Sequence, residues 1–238
     1  MRRIPALMLA AVAFSACSGE QGERAQQLLT RAEAAQAKLR SATFDAKVVF
    51  VMDGRRLSLA IDGGGYLKGR RAGDARFSVR TVDVPGGKDF KLQGVVRRGR
   101  LSMSMNGQRL SLPATGTTTR PEQLDWSATM LELARYVEDV RVREGRVVNG
   151  ERGATITGVI DTSELIKALH RLDAFTGAAN FGDFDDKLSD VHAALFVAEV
   201  SGLIRSAVVT MSMETEGKTT DLEVTYGLTS TNRPVAGL

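Results

Sequence analysis

The sequence predicts an α+β fold: a curved antiparallel sheet forming a half-open β-barrel, with helices covering the concave face. Three observations lead there. Strand-length runs alternate apolar and polar residues, as half-buried strands do. Several runs are joined by two-residue turn dipeptides, the mark of a β-hairpin. Segments with helical periodicity stand before and between the runs, so helices are available to cover the apolar side of the sheet.

The elements follow in order. Arg24–Arg40 is rich in helix formers and places Ala25, Leu28, Leu29, Ala32, Ala35 and Leu39 on one stripe. Thr43–Met52 alternates, with Phe44, Ala46, Val48, Phe50 and Met52 on one side. The Asp53-Gly54 turn then sets Phe50 opposite Leu57, Val48 opposite Leu59 and Ala46 opposite Ile61. In "LSMSMNGQRLSL" the Asn106-Gly107 turn sets Met103 against Leu110 and Leu101 against Leu112. In the last hairpin Glu216-Gly217 sets Met211 against Leu222 and Val209 against Val224. Ala75–Val84, Asp89–Val96, Val140–Val148, Gly153–Ile160 and His192–Val200 read as further strands, with a turn at Asn149-Gly150. Helical patterns cover Trp126–Glu138, which includes Leu131, and "DTSELIKALHRL", with Asp161 or Ser163 as N-cap and Leu165, Ile166, Leu169 and Leu172 as its apolar stripe. Phe184–Asp190 is expected as a short third helix, and residues 230–238 as a frayed tail. A sheet this long curls, and helices across its mouth would enclose a cavity.

Composition removes several function classes. The formal charge of +4 is small and falls by two if Arg2 and Arg3 leave with an N-terminal leader. That is no nucleic-acid footprint, and aromatics at 5% are too few for a base-stacking surface. The single cysteine, Cys17, permits no internal disulfide, so the fold rests on burial.

The leader is legible. Arg2 and Arg3 precede the apolar run Ile4–Ala16, which is shorter than the roughly 20 residues a membrane-spanning helix needs, and the polar stretch Ser18–Gly22 follows. The run ends Phe14-Ser15-Ala16-Cys17, which resembles the lipobox of bacterial lipoproteins, with Phe14 where Leu is usual. The resemblance implies a signal peptide at 1–16, a tether at 17–23, and lipid on Cys17 as the membrane anchor of a single domain at 24–229. Acylation on sulfur and amine would exceed the two signals that stable anchoring requires.

Three stretches resemble the mycobacterial lipoprotein family LppX/LprA/LprF/LprG and, more distantly, the LolA/LolB carriers. In "LRSATFDAKVVFVMDGRRLSLAIDGGGYLKG" a helix leads through Ser-x-x-Phe into a strand, a Gly turn and a second strand ending in Gly. "GATITGVIDTSELIKAL" is similar to the family strand that enters a helix through Asp, and "ALFVAEVSGLIRSAVVTM" to its Gly-Leu-x-Arg hairpin, with Phe196 where the family often has Trp. The resemblance implies a half-open barrel enclosing an apolar cavity. It implies carriage of acylated lipid or glycolipid across the cell envelope, outside the cytoplasm, with an envelope transporter as possible partner. It implies no catalysis and no cofactor.

Enzymatic chemistry finds little support. Ser163, His170 and Asp173 share one expected helix and its end, without a nucleophile elbow. Asp183, Asp185, Asp186 and Asp190 lack the spacing of a calcium loop and suit a helix start. "DGGGYLKGRRAGD" leads into a strand rather than a helix, so it is no phosphate loop. Arg70 and Arg71, with Arg76 nearby, are left as candidate contacts to lipid headgroups. The apolar strand face is the main candidate site. Phe44, Val48, Phe50, Leu59, Ile61, Leu101, Met103 and Met211, with Leu131, Leu165 and Leu169 from helices, either line a cavity or pack as core. Adaptable Met-containing walls suit acyl chains of varied shape.

Overall fold

The computed structural model describes residues 19–82, 90–110, 131, 134–163, 188–215 and 217–238. Helix α1 (Glu20–Gln36) is followed by β1 (Ser41–Met52), β2 (Arg55–Tyr66), β3 (Ala75–Val82), β4 (Lys91–Arg97), β5 (Arg100–Met105) and β6 (Gln108–Leu110). Then come β7 (Val137–Val148), β8 (Glu151–Ile160), β9 (Leu188–Ala198), β10 (Ile204–Thr215) and β11 (Lys218–Thr231). All eleven strands form one antiparallel sheet in the order β6-β5-β4-β3-β2-β1-β11-β10-β9-β8-β7. Among the described residues the sheet is open, with β6 and β7 as its edges. Two meanders, β1–β6 and β7–β11, meet where β1 pairs with β11.

Two-residue turns set the register. Asp53-Gly54, Asn106-Gly107 and Asn149-Gly150 all have positive φ at both residues, which matches the twist of the flanking strands. Phe50↔Leu57, Val48↔Leu59, Ala46↔Ile61, Met103↔Leu110, Met211↔Leu222 and Val209↔Val224 pair as the alternation predicts. Leu112 lies outside the described residues. A further tight turn sits at Arg98-Gly99, where Arg98 has φ 50°. The Asp74 carboxylate accepts the Arg98 backbone N–H at 2.9 Å and so holds this unusual turn residue in place.

Several boundaries differ from the expected ones. Helix α1 begins at Glu20, so residues 20–23 are helical rather than tether; Glu20 and Glu23 in its first turn favour that end of the helix dipole. It ends at Gln36 instead of Arg40. Strand β7 begins at Val137, so Val137 and Glu138 belong to the sheet and not to the preceding helix. Leu188–Asp190, expected as the end of a short helix, instead opens β9, where Leu188 and Ser189 pair with Met213 and Ser212. Cross-strand pairing outweighs the local pattern there. The expected frayed tail is docked. Strand β11 runs through Thr231, Ser41 donates its hydroxyl to the Arg233 carbonyl at 2.6 Å, Tyr66 accepts the Val235 N–H at 3.2 Å, and Val235 is buried. Asp161 accepts the Ser163 N–H at 2.7 Å, as an N-cap does, and Thr162 and Ser163 are helical. The rest of that helix, and most of the one containing Leu131, lies outside the described residues.

The main core lies between α1 and the sheet face beneath it, here the α1 face. Ala25, Leu28, Leu29 and Ala32 pack with Val137, Val140, Ile156, Leu195, Ile204 and Val209.

Candidate functional site: the uncovered part of the apolar face

Register carries one apolar row after another across the whole sheet. From β1, Val48 stands opposite Leu59 and Val224, and Ala46 opposite Ile61 and Tyr226. Outward on one side, Ile61 faces Val79, Val79 faces Leu92, and Leu92 faces Met105. On the other, Val224 faces Val209 and Tyr226 faces Ala207, which faces Leu195; Leu195 in turn faces Ile156. Cross-strand partners share a face, so this is one continuous apolar surface.

Cover is uneven. On β8–β10 the surface is closed at Ile156, Leu195, Ile204 and Ala207, each at most 2% exposed, while Met211, Leu222 and Val224 farther along β10 and β11 are half-buried. On β2–β6 it is not. Leu59, Ile61, Val79, Leu92, Leu101 and Met103 are half-buried, and Leu57 and Met105 are 40% and 41% exposed.

Glycines shape the floor of this second region. Phe77 on β3 stands opposite Gly63 and Gly94. A Cβ built on Gly94 would lie 2.2 Å from the Phe77 ring, and one on Gly63 would lie 2.6 Å from the Phe44 ring. Both phenyl rings therefore lie down on a neighbouring strand's glycine. Phe44 also stacks on Tyr226, with ring centroids 6.0 Å apart.

The predicted residues fall into three groups. Phe44 belongs to the buried core, and Ile61, Leu131 and Met211 pack against it. Val48, Phe50, Leu59, Leu101 and Met103 are half-buried on the sheet. Cys17, Leu165 and Leu169 lie outside the described residues. Sequence reasoning missed Phe77, Val79 and Leu92 as part of the surface. Their alternation was visible, but not the pairing that aligns them.

The cationic candidates differ from one another. Arg70 is exposed. Arg71 sits over the Tyr66 ring at 4.3 Å and bridges to Asp74 at 3.3 Å, so it braces the β2–β3 loop. The backbone N–H of Arg98, aided by the Arg71 guanidinium, holds the Asp74 carboxyl below its usual range against the opposing effect of burial.

The other face carries two open depressions of about 380 and 490 Å³ that share His192 and Thr210. Asp190, Asp221 and Glu223 line the smaller one, and Ser212 donates to Asp221 at 2.8 Å. Among the described residues no cluster of three His, Cys, Asp or Glu side chains is placed to hold a metal ion. No described helix is long and apolar enough to cross a membrane.

The described residues form an open, eleven-stranded antiparallel sheet with a helix on its apolar face, and solved structures resemble it to different degrees. LprF from Mycobacterium bovis aligns with a TM-score of 0.56 at 13% identity, over 92% of this chain and 97% of that one. Lipoprotein LppX from Mycobacterium tuberculosis aligns at 0.48 with 14% identity, over 90% of this chain and 97% of that one. The LolA superfamily protein NE2245 from Nitrosomonas europaea aligns at 0.27 with 11% identity, over 87% and 94%. Of these three, LprF alone exceeds 0.5, and the chain shares its fold. No family model and no curated sequence matches the chain.

Proposed function

We propose that this chain is an envelope lipoprotein, anchored by acylated Cys17 outside the cytoplasm, that binds acylated lipid or glycolipid and carries it between envelope layers. In this reading the sheet curls into a half-barrel, and the β2–β6 part of its apolar face, roofed by helices that include Leu131, Leu165 and Leu169, forms the cavity. One observation carries the reading: the apolar rows continue past the packed core onto strands where they stay half-exposed. Contiguous exposed apolar surface on a folded protein marks a site of interaction.

The mechanism is solvation. Each methylene leaving a bilayer must find an apolar replacement contributing about 0.8 kcal/mol. The side chains of Val48, Phe50, Leu59, Leu101 and Met103 supply it, with Arg70 near the headgroup. The anchor keeps the site beside its donor or acceptor membrane, and the opening step belongs with an envelope transporter. The lipobox-like Cys17 and the LprF-like fold support this reading, which assigns no catalytic step.

The test is chemical. A Cys17→Ser chain, purified without acylation, is extracted and its lipids are identified by mass spectrometry. Near-stoichiometric acylated lipid is expected; a lipid-free protein that also takes up no added acyl probe would overturn the proposal. The closed core beneath α1 favours a second reading, an anchored domain with a filled core and no cargo, and that result would select it.

A further inference from the structure

We infer that one end of the sheet, where the β2–β3 loop, the β4–β5 turn, the α1–β1 junction and the C-terminal tail converge, docks against an anionic phospholipid surface. Hairpin alternation brings these four segments to the same end. Hydrogen bonds then tie them together. The Leu67 N–H donates to the Arg40 carbonyl at 2.8 Å, and the Arg40 N–H to Asn232 Oδ1 at 2.7 Å. Arg97 donates to the Gly237 carbonyl at 3.0 Å, and the Arg98 N–H to Asp74 at 2.9 Å. The six strands from β11 to β5 span roughly 24 Å at about 4.8 Å per strand, so these segments form one rim rather than separate loops.

Charge on this rim is one-sided. Residues 37–41, 66–74, 97–100 and 232–238 contain nine Lys and Arg and a single acid, Asp74. Asp74 is buried and already committed to Arg71 and the Arg98 N–H. Lys38, Arg40, Arg70, Arg98, Arg100 and Arg233 are exposed and make no ion pair with another described residue. The chain as a whole is only +4, so the rest of it carries a small net negative charge; Glu151 at the start of β8 and Glu199 in the β9–β10 loop, at the same end of the sheet, leave this end basic. At the other end the β1–β2 and β10–β11 turns neutralise each other: Lys218 bridges to Asp53 at 2.7 Å.

A broad array of exposed guanidinium and ammonium groups, with no ion pair among the described residues, matches a plane of phosphates better than a single small anion. Each contributes separately and is screened within about a Debye length. This inference concerns orientation at a membrane and does not depend on the cavity.

Two single-cysteine chains test it, both carrying Cys17→Ser: Ala72→Cys in the β2–β3 loop and Thr219→Cys at the opposite end. Each is labelled with a fluorophore and mixed with vesicles containing brominated phosphatidylglycerol or brominated phosphatidylcholine. Quenching at position 72 should exceed that at 219 on phosphatidylglycerol alone. The excess should vanish in about 0.5 M salt and in an R70A/R100A/R233A chain, whose vesicle affinity should fall about a hundredfold. Any contribution of the leader is common to all chains, because the readout is a ratio between two positions. A parent-like thermal melt of the triple variant confirms its fold, and R70K/R100K/R233K should restore the excess. Equal quenching at both positions on anionic vesicles, as expected if the rim serves an acidic partner protein instead, overturns the inference. So does an excess that survives the triple substitution.

Discussion

The β7–β11 region and the β2–β6 region are written in the same alternating pattern on the same face, yet they end in different states. Beneath α1, Ile156 and Ile204 are 1% and 0% exposed; on the far side of the seam Leu57 and Met105 stand 40% and 41% exposed. Pattern alone decides which face is apolar, while burial is decided by what packs on it. Close packing is complete beneath α1, whereas Leu59, Val79, Leu92 and Met103 on β2–β5 are half-buried.

Substitution should separate the two regions most clearly by stability. Ile156→Ala removes a fully packed side chain and should cost about 2–5 kcal/mol, against about 1 kcal/mol or less for Leu59→Ala. Urea midpoints read the difference, and equal losses would merge the two regions into one core. Gly94→Val should cost about 1–3 kcal/mol, because the new side chain lands on the Phe77 ring. Adding Phe77→Ala should recover part of that loss, and a double-mutant cycle showing no coupling would contradict the seat geometry.

Asp74→Asn should cost about 1 kcal/mol at neutral pH through its weakened bonds to Arg98 and Arg71. Its folded pKa is lowered from 3.8, so its contribution is present above that value and lost as pH falls through the lower folded one. The variant's stability should therefore fall less steeply below about pH 4 than the parent's. Met103→Ala should change stability least of all, by under about 1 kcal/mol, while reducing the amount of lipid that co-purifies.

The register that aligns the two regions was partly legible in the sequence, and the difference in their burial was not. Two-residue turns between alternating runs fixed Val48 against Leu59 and Met103 against Leu110, because a one-residue slip would turn every apolar side chain to the other face. The pairing of β1 with β11 had no such signal, since the partners Val48 and Val224 are joined by no local turn. At the Arg98-Gly99 turn only Gly99 signals a turn; the positive φ of Arg98 was hidden because a distant carboxylate holds its N–H. The seats under Phe44 and Phe77 were invisible for the same reason: a glycine announces a lack of side chain, and its neighbour across the strand is known only from the register. In the tail, Val235 found a burial site built by segments far away in the chain.

A photoreactive fatty acid, incubated with the Cys17→Ser chain and cross-linked, tests the contrast most directly. Peptide mapping should place the adducts on β2–β6, at Phe77, Leu92 and Met103, and leave Ile156 and Leu195 unlabelled. Adducts spread evenly over both regions, or none on β2–β6, would contradict the division of the sheet into a packed core and a lipid-accessible wall.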